Sequence, residues 1–107
     1  MALKVEWGSS IVLEFTTQHL SPITHEWETV DADSYEAYLE TAEKAPQQLR
    51  ELNVQPVDTG KYHVVFYADK QNTMPGETYY VAFYWQKDEI KMAERELVIV
   101  VPDVRKT

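Results

Sequence analysis

"ETYYVAFYWQ", residues 77–86, is the stretch on which the fold turns. Side chains alternate along an extended chain, so Tyr79, Val81, Phe83 and Trp85 share one side and Tyr80, Ala82 and Tyr84 the other. Both sides are apolar or aromatic. A strand at the surface of a lone domain needs only one such side, so the segment raises the question of what covers the second.

Working outward, a polar turn "QKDE" (86–89) leads into "IKMAERELVIVV" (90–101), one long strand or a strand pair stopped by Pro102. On the other side, "DKQNTMPGE" (69–77) is a polar connection closed by Pro75-Gly76. Before it, "VDTGKYHVVFYA" (57–68) holds an Asp-Thr-Gly turn, then Tyr62, Val64 and Phe66 alternating with His63, Val65 and Tyr67. Near the start, "LKVEW" (3–7) alternates Leu3, Val5 and Trp7 with charged residues. Gly8-Ser9-Ser10 breaks the run, and "IVLEFTT" (11–17) resumes it with Ile11, Leu13 and Phe15. "QHLSP" (18–22) reads as a loop by its Ser-Pro, and "THEWETV" (24–30) as a short strand anchored by Trp27.

The middle admits two readings. "DADSYEAYLETAEKA" (31–45) has helix-forming composition, a capping box in Asp33 and Glu36, and Tyr35, Tyr38, Leu39 and Ala42 at helical spacing, with Pro46 ending any such helix. The alternative is a strand "SYEAYLET" (34–41) with Tyr35, Ala37 and Leu39 inward, a turn around "EKAPQQ", and a second strand in "QLRELNVQPV" (48–57). Short strands separated by turns at this density predict one all-β domain, a sandwich or barrel, over residues 1–107.

The chain has 107 residues, enough to bury a core without staples, and no cysteine, which removes disulfides and thiolate chemistry together. A formal charge of −8 opposes binding to phosphate backbones, so no nucleic-acid partner is expected. No apolar window approaches the roughly 20 residues that span a bilayer, and the start lacks a basic and apolar leader, so neither membrane insertion nor secretion by that route is expected.

"MPGETYYVAF" (74–83) resembles the Pro-Gly-x-x-Tyr-x-Val-x-Val segment of fibronectin type III and other immunoglobulin-like sandwiches. The resemblance implies a tyrosine corner at Tyr79, preceded by Pro75 and Gly76, with Val81 and Phe83 in the core. The order "VDTGKYHVVF", "ADKQNTMPGETYYVAFYWQKDE", "RELVIVVPDVRK" looks like the second half of small immunoglobulin-like proteins of tailed-phage structural modules, and "VEWGSSIVLEF" like their opening. It implies an antiparallel immunoglobulin-like β-sandwich of about seven strands, in which Val98 and Val100 point inward and Leu97, Ile99 and Val101 outward.

In that architecture the last two strands are neighbours, so Tyr80, Tyr84, Leu97, Ile99 and Val101 would merge into one outward patch, a candidate interface. The expected function is a non-enzymatic structural component of a tailed-phage virion (tail, baseplate, neck or fibre attachment), assembled in the bacterial cytoplasm. Its partners would be other virion proteins and copies of itself. A carbohydrate- or protein-binding module of a cell surface is the alternative, and a small acidic inhibitor of a host protein a third.

No catalytic, cofactor or metal site is expected. His19, His25 and His63 lack recognised ligand spacing, Glu26 and Glu28 are two carboxylates among many, and no nucleophile elbow or phosphate loop occurs. Trp7, Trp27 and Trp85 are expected mainly in the core rather than on a sugar-stacking platform.

Overall fold

The computed structural model describes residues 2–102. The described residues form ten strands: β1 (Leu3–Glu6), β2 (Ser10–Thr16), β3 (Gln18–Leu20), β4 (Trp27–Thr29), β5 (Ser34–Thr41), β6 (Gln48–Leu52), β7 (Val54–Asp58), β8 (Lys61–Tyr67), β9 (Thr78–Lys87) and β10 (Ile90–Val101). No helix occurs among them. Strands β1-β10-β9-β5-β6 make a five-stranded sheet, β2-β8-β7 a three-stranded sheet, and β3-β4 a separate ribbon.

The inner faces of the two larger sheets meet at Phe83. Its ring stacks on Phe15 of β2 at 5.1 Å between centroids and lies 5.4 Å from Tyr62 of β8. Around it the alternation of β9, β8, β2 and β5 delivers Val81, Val64, Phe66, Leu13, Ala37 and Leu39 to one buried cluster, as in a β-sandwich. Val98 and Val100 of β10 and Val5 of β1 close it at one end.

The ambiguous middle is strand. Ser34–Thr41 pairs with β9 on one side and, through Ala37–Glu40, with β6 on the other. Those pairings outweigh helical propensity, because a three-turn helix depends on tertiary support and the core takes Ala37 and Leu39 at period two. Tyr35 is partly exposed, although its ring packs on Tyr62 at 4.7 Å. The second strand expected over 48–57 is divided at Asn53, where the chain leaves the larger sheet for the smaller. Pro56 is accommodated because β7 is an edge strand with a register shift there.

Other expectations are corrected. The described residues form ten strands rather than about seven, and β1 runs parallel to β10, so the larger sheet is mixed. Residues 18–20 are not loop but β3, whose Leu20 lies opposite Trp27. Trp27 is no anchor: it is 62% exposed. Thr17 separates β2 from β3 because its N–H donates to the Gly60 carbonyl (2.8 Å) and its carbonyl accepts from Val30 N–H (3.1 Å). The Ser21 hydroxyl then accepts from the Ile23 and Thr24 N–H groups, turning the chain back.

Candidate functional site

The outer face of the five-stranded sheet is built from three neighbouring strands in register. Tyr80, Ala82 and Tyr84 of β9 lie opposite Leu97, Arg95 and Ala93 of β10, and opposite Glu40, Tyr38 and Glu36 of β5. These nine positions form a block with aromatic rings in the middle and opposite charges on its flanks.

The centre of the block is closed by its own side chains. Ala82 is 0% and Glu40 1% exposed, although both point away from the core. Arg95 Nε donates to Glu40 Oε1 at 3.0 Å and Arg95 Nη2 to the Tyr84 hydroxyl at 2.9 Å, while that hydroxyl donates to Glu40 Oε2. The guanidinium lies over the Tyr84 ring at 5.5 Å, and Tyr38 meets that ring edge-on at 6.1 Å. Desolvation, then the hydrogen bond to Glu40, pushes the Tyr84 phenol above its ordinary value, and the bond to Glu40 does the same for Arg95. The three side chains are thereby joined in one hydrogen-bonded cluster over β9.

Of the residues singled out from sequence, Tyr80 and Leu97 lie directly opposite each other and Tyr84 two positions along β9. Ile99 sits beyond Leu97 opposite Thr78, and Val101 beside Glu6 of β1. All five are half-buried. The Tyr79 hydroxyl accepts a hydrogen bond from Met74 N–H at 2.9 Å, closing the bend that contains Pro75 and Gly76. Gly76, at φ +88, donates its N–H to the Val100 carbonyl at 2.7 Å. The Asp103-Val104 end of the quoted terminal motif lies outside the described residues.

Glu40 and Arg95, 55 residues apart, were not foreseen, because only the β5–β9–β10 register brings them together. A second exposed apolar face had a signal in the sequence. His63, Val65 and Tyr67 alternate with the core residues of β8, and Val65 and Tyr67 face outward, with Val12 opposite Val65 the most exposed of the three at 59%.

At the turn end of the larger sheet a shallow groove of about 320 Å³ runs over Tyr84 and Gln86 between Lys91 and Glu36. His19 lies 3.9 Å from Asp88 and His63 4.0 Å from Glu14. Among the described residues no three His, Asp or Glu side chains converge as metal ligands would. Trp85 is buried, Trp7 donates Nε1–H to the Thr73 carbonyl at 3.1 Å, and Trp27 stands apart on the ribbon. No family model matches the chain, and no curated protein matches it either.

Proposed function

We propose that the chain is a non-enzymatic structural subunit that acts by protein–protein contact through the outer face of its five-stranded sheet, as a component of a tailed-phage virion. The observation that carries the contact reading is the block on β5, β9 and β10, a surface of tyrosine and aliphatic side chains around an ion-paired centre. Aromatic side chains already held by hydrogen bonds lose little side-chain entropy on binding. The virion assignment rests on the resemblance of the chain's patterning to immunoglobulin-like phage proteins. The sheet order β1-β10-β9-β5-β6 over β2-β8-β7 and the Tyr79–Met74 bond support an immunoglobulin-like topology.

The test compares two aspartates on one strand. Tyr84→Asp, on the outer side, should leave the fold cooperative but keep the chain out of gradient-purified particles from cells carrying the gene. Phe83→Asp should instead abolish folding, since an unpaired charge at the core's hub costs several kcal/mol against a total near 5–15. Normal incorporation of Tyr84→Asp would end the proposal.

A second reading, carbohydrate binding, has Trp27 in its favour as an exposed ring. Saturation of Trp27 fluorescence by a glycan would select it.

A further inference from the structure

The outer face carries its charges unevenly. By register, Lys91 of β10 and Lys4 of β1 project outward on one side of β9, and Glu36 of β5 and Glu51 of β6 on the other; Arg95 and Glu40 neutralise each other across β9, and Glu6 at the β1 margin is the exception. Between them run Tyr80, Ala82 and Tyr84. The face therefore grades from basic through aromatic to acidic across the strands.

Such a gradient is complementary to itself under one two-fold and repulsive under another. An axis lying in the contact plane and directed along β9 exchanges left and right, setting β10 of one copy over β5 of the other, with β9 over β9. Glu36 of the second copy then falls opposite Ala93, between Lys91 and Arg95, because Ala93, Tyr84 and Glu36 share one level of the register. An axis directed across the strands at that level sets β10 over β10 and β5 over β5, with Glu36 against Glu36. Like charges brought face to face in a contact are strongly disfavoured.

We infer that the occupant of this face is a second copy of the chain, docked sheet to sheet about a two-fold directed along β9. The inference rests on the reading of that face as an interface, and specifies its partner. Five strands at ~4.8 Å spacing and about eight residues at ~3.3 Å rise offer roughly 600 Å² per copy, or about 1,200 Å² in all, the lower end of stable contacts. Aligned sheet packing keeps the two strand sets within about 30° of each other, which preserves the charge pairing. Isologous contacts of this kind are the commonest in homo-oligomers.

Sedimentation equilibrium of the purified chain should show a dimer that dissociates on dilution. Lys91→Glu and Glu36→Lys should each raise its Kd at least about tenfold, and the double exchange Lys91→Glu/Glu36→Lys should restore it to within about threefold. Circular dichroism keeps loss of fold distinct from loss of pairing. A monomer at every soluble concentration, or a dimer indifferent to both single exchanges, would overturn the inference. If the chain is monomeric while Tyr84→Asp is still lost from particles, only the two-fold pairing falls. If it dimerises while Tyr84→Asp particles assemble normally, the assembly reading falls and the pairing stands.

Discussion

Gly60 and Gly76 both hold a positive φ, +65 and +88, yet the same substitution should affect them differently. A Cβ on Gly60 would lie 2.5 Å from Thr29 Cγ2 and 2.8 Å from the Val30 carbonyl oxygen, whereas one on Gly76 would meet nothing within 4 Å. Gly76→Ala is expected to cost about 1–2 kcal/mol, the left-handed backbone term alone. Gly60→Ala should exceed about 3 kcal/mol, because the β4 end must move as well; urea denaturation of both variants measures the difference. The Asp-Thr-Gly turn was legible in the sequence, since glycine in that setting has a local cause. Glu40 was not. Nothing in "SYEAYLET" marks one glutamate as buried, because its covering comes from Arg95 and Tyr84 on two other strands.

Elements show a similar division between local and distant causes. β9 was legible throughout: the side that carries Val81, Phe83 and Trp85 is the buried one, and Tyr80 and Tyr84 look outward. β5 was balanced between helix and strand until pairing with β9 and β6 decided it. The β9–β10 hairpin depends on both kinds of cause. Its turn residues Asp88 and Glu89 take φ of 50 and 67 without glycine, and Asp33, far away in sequence, holds the turn by accepting from Asp88 N–H at 2.9 Å.

That bond, helped by Lys87, keeps the Asp33 carboxyl below its ordinary value of 3.8. A group with a depressed folded pKa stabilises the fold fully above its unfolded value and loses that contribution as pH falls through the folded one. The hairpin tip should therefore lose amide protection at Asp88 below about pH 3.8 while still protected at neutral pH. Asp33→Asn should remove this acid step, read by hydrogen exchange on a pH series. An unchanged step in the variant would mean that another carboxyl governs the turn.

At the scale of the molecule, the class was legible and the wiring was not. Alternation and turn chemistry give an all-β chain from local sequence, but strand order depends on contacts such as β1 with β10, almost the whole chain apart. The result is an elongated body of 58 × 28 × 23 Å.

The parallel seam between β1 and β10 also fixes how the body bears mechanical load. Leu3 sits opposite Val98 and Glu6 opposite Val101, with both strands running the same way. Tension applied at Leu3 and Val101 in opposite directions drags one strand lengthwise past the other, so the bridging bonds share the strain and must fail together. In an optical trap with handles at those two residues, rupture should come as one abrupt event, and gradual opening at low force would count against it. A subunit wired in this way yields to a pull at those two ends only when the four paired residues of the seam let go at once.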